Sequence, residues 1–403
     1  MKVSLNQASF KKRKEFEGNM KKKEKKFAKF TNQPFDFILC LVIFILLALG
    51  IVMVLSASAP SALAESGKPY VYAGRQLMFG LLGLAAMFVI SKIDYHIFKK
   101  FYWPIYFASW IILLLVEIPG LGIESGGAKR WVAIPGLGQF QPSELTKIGL
   151  IVFYAGYLTD HKNEMRDFWK GFVRPLAFLI PPIAILYFIQ NHLSASLIMG
   201  MITCVMMIMA GARLLHFILS GVVGAGGIGA YLIHKLNSGG DGGFRLTRIV
   251  SFLDPFEDKM GTGWQVVQSL YAIGSGGLFG VGLGESKQKY LYISEPQNDF
   301  IFSIVAEELG FIGCAIIIAI FGIFIWRGIL IAIKAPDSFG SLMATGITSL
   351  VAIQVILNIA VVTSSIPNTG ISLPFFSYGG TALFILLCSC GILLNISRTS
   401  SKV

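Results

Sequence analysis

Residues 286–310 read SKQKYLYISEPQNDFIFSIVAEELG, and the character of the chain changes within this stretch. It begins with polar and aromatic residues and turns apolar directly after Asp299, while Glu307 and Glu308 lie inside the apolar part. A charged side chain at mid-bilayer depth costs roughly 2.5–3.5 kcal/mol on insertion scales, so acids found there usually have a function. The stretch therefore predicts a membrane helix with a functional carboxylate at its start.

If residues 299–326 form one helix, small and polar side chains share one face of it. This face contains Asp299, Ser303, Ala306, Glu307, Gly310 and Gly313. Such a face is expected to lie against other helices or a wet groove. The alternative is structural: the glutamates join neighbouring helices, and Asp299 caps the N-terminus of its helix.

The composition is that of an integral membrane protein. The 403 residues are 54% hydrophobic and 14% charged, which excludes an ordinary soluble domain. Since one span needs roughly 20 mostly apolar residues, the pattern predicts an all-α polytopic membrane protein with ten transmembrane helices. The predicted spans are 37–56, 76–91, 101–118, 143–159, 173–190, 193–211, 214–234, 299–326, 341–363 and 371–396.

The charge distribution predicts the orientation. Residues 1–33 contain eleven Lys or Arg and three Glu, a net charge of 11 − 3 = +8. The positive-inside rule places this tail in the cytoplasm, where it suits anionic lipid headgroups better than nucleic acid, because no folded basic domain follows. Residues 34–398 are then the membrane domain, with a large extracellular loop at 235–298 between the seventh and eighth spans. The C-terminal tail, 399–403, is cytoplasmic.

Alternation across ten spans places most of the other basic residues on the same side as this tail. These are Lys92, Lys99, Lys100, Lys162, Arg166, Lys170, Arg213, Arg327, Lys334, Arg398 and Lys402. The agreement among independent loops supports a multi-pass protein with both termini in the cytoplasm.

The outer segment before the fourth span contains a cationic and aromatic cluster of Lys129, Arg130 and Trp131. Glu144 and Lys147 follow at the start of the fourth span, three positions apart, so they share a helix face and can pair. The pair is either a structural clip or part of a polar site. The sequence favours the site, because the cationic cluster lies on the same side of the membrane.

The long outer loop at 235–298 is a second candidate region, since loops of this length in compact proteins are usually functional. Cations gathered at an outer membrane face suit a phosphate or diphosphate ligand. The candidates are Arg245, Arg248, Lys287 and Lys289, beside the acidic Glu295.

Within this loop, residues 264–283 are amphipathic and glycine-rich, as expected of a helix on or dipping into the outer interface. Gln265 and Gln268 are candidate substrate-binding residues on this helix. No Gly-Lys-Ser/Thr follows the glycines, so they do not form a nucleotide-binding loop. Close helix packing is the expected role of Gly276 and Gly280.

Residues 364–382 read SSIPNTGISLPFFSYGGTA and interrupt a membrane segment at outer depth. Irregular backbone is tolerated there only beside protein or a wet cavity, so this segment is expected to form one wall of the same site, with Ser377 as a candidate ligand. In the span before it, Gln354 and Asn358 lie one turn apart and are expected to hydrogen-bond across helices.

These motifs together resemble the SEDS family of bacterial cell-wall proteins, FtsW, RodA and SpoVE. The matching stretches are KRWVAIPGLGQFQPSELTK at 129–147, GTGWQVVQSLYAIGSGGLFGVGLGESKQKY at 261–290, EPQNDFIFSIVAEELG at 295–310 and PNTGISLPFFSYGGTA at 367–382. The resemblance implies a ten-helix peptidoglycan glycosyltransferase that polymerises lipid II at the outer leaflet of the bacterial cell membrane. It also implies a class B penicillin-binding protein as crosslinking partner, together with other division or sporulation membrane proteins. The key aspartate of the family corresponds to Asp299.

The residue types suit this chemistry. An acceptor hydroxyl needs a general base, for which Asp299 is the candidate, and a leaving diphosphate needs cations, either Lys and Arg side chains or a divalent metal such as Mg or Mn. A lipid II flippase and a scaffold that recruits a synthase are the alternatives. The long basic tail favours the division or sporulation branch. The chain also departs from the family, with Asn191-His192-Leu193-Ser194 where relatives often read Pro-Asp-Leu-Gly.

Overall fold

The computed structural model describes residues 34–125, 128–134, 138–222, 252, 263–290 and 292–400. Most of these residues are helical, as predicted. The helices are α1 (Phe37–Ser66), α2 (Val71–Ile90), α3 (His96–Lys100), α4 (Tyr102–Leu114), α5 (Pro142–Asp160), α6 (Arg174–Ala184), α7 (Leu193–Met209), α8 (Trp264–Gly276), α9 (Ile301–Lys334), α10 (Ser338–Val362) and α11 (Gly380–Thr399). Short π-helical turns, Trp169–Val173 and Ile185–Ile189, extend α6 at both ends.

Six helices in the described part of the chain are long and apolar enough to cross a membrane. They are α1, α2, the α6 unit at Trp169–Ile189, α9, α10 and α11. Two shorter apolar helices, Tyr102–Glu117 and Leu193–Met209, coincide with further predicted spans. The predicted span at 214–234 is helical from 214 to 222 and otherwise lies outside the described residues. The chain is therefore a multi-pass membrane protein, while the count of ten remains a prediction.

A small sheet departs from the all-α prediction. Strands β1 (Gly122–Ser125), β2 (Ala128–Ile134) and β3 (Gly138–Phe140) pair antiparallel in that order, with Trp131 opposite Ile123. Isoleucine, valine and tryptophan fit a pleated, half-buried surface better than a helix. The cationic cluster at Lys129–Trp131 therefore lies on strand β2 of a sheet directly before α5, and not in an irregular loop.

The last helix also differs from its prediction. It begins at Gly380 and not at residue 371. Pro374 has no backbone N–H, and Phe375 has a positive φ of 67°, so neither residue continues a regular helix. Residues 364–379 are correspondingly irregular, apart from short turns, as the composition of this segment predicts.

Helix α10 lies at the centre of the bundle, packed against α5, α7, α9 and α11. At one end of the bundle, the start of α1 contacts the ends of two other helices. Asp36 pairs with Arg327 at 2.6 Å, and its backbone N–H donates to Ser397 Oγ at 3.0 Å. Ser56, about 30 Å farther along α1 at 1.5 Å per residue, contacts Glu308 near the end that carries Asp299.

Helix α9 is interrupted at Gly310, whose φ of 68° and ψ of −170° are not helical. The backbone of residues 277–282, which follows α8, enters this break. Four hydrogen bonds of 2.9–3.1 Å join it to both sides of the break, from Val281 N to Glu307 O, Gly282 N to Glu308 O, Phe311 N to Gly277 O and Ile312 N to Leu278 O.

The break corrects the prediction of one continuous helix over 299–326. In a continuous helix, the N–H groups after Gly310 would bond to carbonyls four residues earlier. The inserted segment supplies partners for the N–H groups of Phe311 and Ile312 and for the carbonyls of Glu307 and Glu308. The predicted polar face therefore ends at Gly310. Gly276 and Gly280 pack closely, as predicted, since an added Cβ at either would clash with the α9 backbone.

Candidate functional site

Asp299 lies two residues before the first residue of α9 and is half-buried, and hydrogen bonds from three segments hold its backbone. The carbonyls of residues 297–299 each accept one hydrogen bond from another part of the chain. The donors are the Tyr378 N–H at 2.8 Å, the Ser377 hydroxyl at 2.8 Å and the Asn358 side-chain amide at 2.7 Å. This arrangement fixes where the Asp299 side chain leaves the backbone.

Asn358 connects the Asp299 backbone to the irregular segment at 364–379. Its Nδ2 also donates to the Ile371 carbonyl at 2.6 Å, and the residue is fully buried. Within that segment, an added Cβ at Gly370 would lie 3.0 Å from Asp299 Oδ2. The irregular segment therefore lies against the carboxylate, in the position expected of a wall of the site. Asn358 was predicted to hydrogen-bond across helices, but both of its acceptors lie in segments outside the helices.

The structure bears on the capping alternative for Asp299. Phe300 occupies the N-cap position of α9, and its side chain makes no capping bond. Asp299 lies one residue before the position from which a capping side chain acts. The capping alternative stays a prediction, and the half-buried carboxylate lies beside Gly370.

Glu144 and Lys147 pair at the start of α5, as predicted from their spacing. Lys147 Nζ lies 2.8 and 2.9 Å from the two carboxylate oxygens of Glu144. The lysine side chain is only 2% exposed, while that of Glu144 is 17% exposed. Glu144 is therefore the more accessible member of the pair at the start of α5.

The guanidinium of Arg130 donates hydrogen bonds to backbone carbonyls of a neighbouring turn. Its Nη2 donates to the Asn191 carbonyl at 2.6 Å, and its Nε donates to the Gln190 carbonyl at 3.3 Å. These carbonyls end the helical unit of α6, where a cation is favourable. The residues beside it in β2 differ in exposure: Lys129 is exposed and Trp131 is half-buried.

His192 joins this region to the loop beside Asp299. It is the N-cap of α7, and its Nδ1 accepts the Ala195 N–H at 3.1 Å, while its Nε2 lies 2.8 Å from the side-chain amide of Gln141. Two positions later, the Ser194 hydroxyl donates to the Thr369 carbonyl, next to Gly370. The His192 imidazole therefore caps α7, as the aspartate often found here in relatives could also do.

The surroundings of His192 keep it neutral. Burial, followed by the nearby charges of Arg130 and Lys147, lowers the pKa of His192 to about 3. A neutral ring accepting at Nδ1 carries its proton on Nε2, so donation to Gln141 requires the amide, whose Nε2 lies at 2.8 Å, to turn its oxygen toward the ring.

Two predicted ligands are used inside the protein. Lys289 is buried and paired with Glu308 at 3.0 Å, which corrects the expectation of a cation open to a diphosphate. Ser377, predicted to bind substrate, accepts the Leu373 N–H at 2.7 Å and donates to the Asn298 carbonyl. Both side chains stabilise the loops before α9 and α11. The sequence does not show this role, because it does not show that the two residues are buried.

The remaining predicted residues vary in accessibility. Lys287 and Glu295 are exposed, and Glu295 Oε2 accepts from Asn298 Nδ2 at 2.6 Å. On α8, Gln265 is half-buried and Gln268 is buried. Arg245 and Arg248 lie outside the described residues, so their expected contribution is unchanged.

Gln76 is a contact that the sequence analysis missed. This fully buried side chain of α2 donates to the Ser377 carbonyl at 3.2 Å and accepts the Gly379 N–H at 3.2 Å. It therefore supports the turn whose hydroxyl and N–H hold residues 297 and 298. A lone amide inside an apolar helix was the available signal, since buried polar groups need partners.

A divalent cation is the predicted alternative to Lys and Arg side chains at the leaving diphosphate. Among the residues that the structure describes, no three acidic, histidine or cysteine side chains come together as a metal site. We therefore derive no step through a metal ion.

The sequence was compared with known families and proteins. A family model described as "Cell cycle protein", which groups FtsW, RodA and SpoVE, matches residues 37–402. The chain is similar to "Stage V sporulation protein E" of Bacillus subtilis (strain 168), with 42% identity over 366 residues, 91% of this chain and 97% of the relative. It is 40% identical over 365 residues to "Probable peptidoglycan glycosyltransferase FtsW" of Geobacter sp. (strain M18), covering 91% and 97% of the two chains.

Solved structures give a consistent result. One chain of a peptidoglycan synthase complex, studied for its coordination of polymerization and crosslinking, matches with a TM-score of 0.74 and 27% identity, covering 92% of this chain and 99% of that chain. Rod shape determining protein RodA of Thermus thermophilus matches with a TM-score of 0.65 and 25% identity over the same shares. The match spans the whole membrane domain, and the chain accordingly belongs to the FtsW/RodA/SpoVE family of cell cycle proteins.

Proposed function

We propose that this chain is a peptidoglycan glycosyltransferase that polymerises lipid II, with Asp299 as the general base. The observation that carries the proposal is the half-buried Asp299 carboxylate beside Gly370, on a backbone held by three separate donors. Preorganisation of this kind lets a carboxylate act without rearrangement. The relatives named as peptidoglycan glycosyltransferases support the choice of reaction.

The reaction joins two lipid-linked disaccharides. Asp299 takes the proton of an acceptor sugar hydroxyl as its oxygen forms a bond to the anomeric carbon of the donor. The bond from that carbon to the diphosphate oxygen breaks at the same time, and its electron pair leaves with the prenyl diphosphate. Lys129 and Lys287, which are exposed, are the cations proposed to offset the charge on this leaving group. Inversion at the anomeric carbon is implied by the family.

Orientation and partner belong to the same proposal. The end of the bundle that carries Asp36, Arg327 and Ser397 faces the cytoplasm, together with both termini, and the end that carries Asp299 faces outward. The similarity to a chain of a peptidoglycan synthase complex supports a class B penicillin-binding protein as partner. The similarity to a sporulation protein and to FtsW proteins supports a role in sporulation or division.

The test is polymerisation of lipid II by the purified protein with its partner transpeptidase. We expect a ladder of glycan strands from the wild type and almost none from Asp299→Asn. The substitution keeps the size of the side chain but removes its basicity, and positioned general bases contribute roughly 10²–10⁴-fold in rate. Asn caps helices about as well as Asp, so the variant should insert, melt and bind its partner like the wild type.

A normal ladder from Asp299→Asn would remove Asp299 from the mechanism. If the wild type moved lipid II across a vesicle membrane and made no ladder, a flippase would be the better assignment. If it did neither but still recruited an active synthase, the scaffold alternative would apply.

A further inference from the structure

A second polar cluster lies at the break in α9, away from Asp299. Lys289 Nζ donates to Glu308 Oε1 at 3.0 Å, to Ser56 Oγ at 3.3 Å and to the Gly284 carbonyl at 2.5 Å. The Ser56 hydroxyl also donates to the Glu308 carboxylate, at 2.6 Å. The side chains of Lys289 and Glu308 are 4% and 0% exposed, so this is an ion pair inside the protein.

The neighbouring carboxylate binds the same short segment. Glu307 accepts from Ser286 Oγ at 2.5 Å, from the Lys287 N–H at 2.9 Å and from the Gln288 N–H at 3.4 Å. Two adjacent acids of α9 therefore hold residues 286–289 through side-chain and backbone donors. These donors stabilise the two carboxylates in a site from which water is excluded.

The cluster closes a loop of the chain around Asp299. The chain leaves the cluster at residues 286–289, passes through Asp299 and returns to the cluster at Glu307 and Glu308. The break at Gly310 follows directly, so the helical turns that connect Asp299 to the cluster are separated from the rest of α9. Ser56 ties the closed loop to α1.

We infer that Lys289 is a positioning residue for the transfer reaction, an inference that rests on the proposed glycosyltransferase function. Its ammonium group fixes the loop from residue 286 to residue 308 on Glu308 and on α1, and this sets the place of Asp299 at the far side of the loop. Because the ammonium is turned into the protein, it does not bind the diphosphate of the substrate.

A double replacement separates positioning from folding. Removing one member of a buried ion pair leaves an uncompensated charge and destabilises strongly, whereas replacing both by apolar residues is often tolerated. The test variant is therefore Lys289→Met with Glu308→Met in the full-length protein. The matched control is Arg327→Met with Asp36→Asn, which removes the ion pair beyond the break in the same helix and keeps a capping side chain at residue 36.

We expect the Lys289 and Glu308 double variant to fold and to retain the KM for lipid II, while its kcat falls about 10- to 100-fold, since a small misplacement of a catalytic group costs up to about 10²-fold. The control should retain the wild-type kcat. A raised KM with an unchanged kcat would instead make Lys289 a substrate ligand and overturn the inference. A kcat equal to that of the control would show a purely structural pair and would also overturn it.

Hydrogen–deuterium exchange gives a readout that does not depend on activity. Peptides covering residues 292–300 should exchange faster in the double variant than in the wild type, and the control should leave them unchanged. Unchanged exchange in the double variant would contradict the inference. Failure of the proposed function is seen separately, because the wild type would then make no more glycan than Asp299→Asn.

Discussion

At the scale of single residues, Asn358 is the side chain that most directly determines the position of Asp299. Both of its N–H groups hold backbone carbonyls, those of Asp299 and Ile371. Leaving a buried carbonyl without its donor costs about 1–3 kcal/mol. One carbonyl belongs to Asp299 and the other to the irregular segment at 364–379. Loss of Asn358 should therefore make the position of the Asp299 carboxylate less well defined.

We therefore expect Asn358→Leu to lower the kcat for lipid II polymerisation at least about 10-fold, with a smaller change in KM. Gln354→Leu is the matched control, because Gln354 is also a buried amide and lies one turn earlier on α10. Steady-state kinetics of the two purified variants provide the measurement. Equal losses in both would attribute the effect to α10 packing and not to the contact with Asp299.

His192 gives the protein a predictable response to acid. It stays neutral in the folded state down to about pH 3, whereas an unfolded histidine binds a proton below about pH 6.5. The unfolded chain therefore binds more protons over this range, and stability falls as the pH is lowered through it.

Replacing His192 by Asn keeps a capping side chain but removes the titration. We expect the melting temperature of the wild type in detergent to drop from pH 7.5 to pH 5 by more than that of His192→Asn. Thermal melts at both pH values test this. Parallel pH dependence in the two proteins would mean that other groups cause the acid sensitivity.

At the scale of elements, the break in α9 depends on Gly310. Its positive φ suits glycine, and a Cβ at this position would lie 2.7 Å from the Leu278 carbonyl oxygen. Backbone strain of this kind costs about 1–3 kcal/mol. The inserted segment at 277–282 would have to move to accept any side chain here.

We expect Gly310→Ala to lower the melting temperature clearly. Gly322→Ala on the same helix is the control, since an added Cβ there meets no atom within 4 Å and alanine favours a regular helix by roughly 0.5–1 kcal/mol. Thermal unfolding of the two variants in one detergent gives the comparison. If Gly310→Ala melted like Gly322→Ala, the inserted segment would not constrain α9.

The helices were largely predictable, whereas their interruptions were not. Apolar stretches such as those of α1, α9 and α10 identify themselves by composition, because a membrane requires continuous apolar segments. The break at Gly310 depends on backbone donors from residues 277–282, which no local pattern around Gly310 contains. Similarly, the sequence predicts Lys289 to be an exposed cation, whereas its ammonium is buried against Glu308, the Gly284 carbonyl and Ser56 of α1.

The candidate site was predictable to a similar degree. The resemblance identified Asp299, and the irregular composition of 364–382 indicated a wall of the site. Gln76 was marked only as a lone amide in an apolar helix, and neither its backbone partners nor those of Ser377 could be read from the sequence. Such contacts depend on distances between distant segments, and the sequence pattern carries no information about these distances.

At the scale of the whole molecule, the proposed orientation predicts which loops can be reached from outside the cell. Asn163 lies in the loop after α5, on the proposed cytoplasmic side, and Glu124 lies in β1, on the proposed outer side. Both residues are exposed. The native cysteines Cys40, Cys204, Cys314, Cys388 and Cys390 all lie within helices and are buried or half-buried.

We expect a membrane-impermeant thiol reagent to label Glu124→Cys in intact cells and to label Asn163→Cys only after the cells are opened, because the positive-inside rule places the basic loops in the cytoplasm. Mass shifts on a gel report the labelling. The unsubstituted protein, with its five native cysteines, is the background control. The reverse pattern would invert the proposed orientation.

The three hydrogen bonds to the backbone carbonyls of residues 297–299 predict which positions near Asp299 tolerate substitution during evolution. Tyr378 contributes its main-chain N–H, and residues 297 and 298 contribute their carbonyls, all of which nearly any amino acid supplies. Mutational drift at these three positions would leave the three-point hold intact. Asn358, by contrast, supplies two donors from one buried side chain. If Asp299 is the general base as proposed, selection on catalysis should therefore act far more strongly on position 358 than on positions 297, 298 and 378.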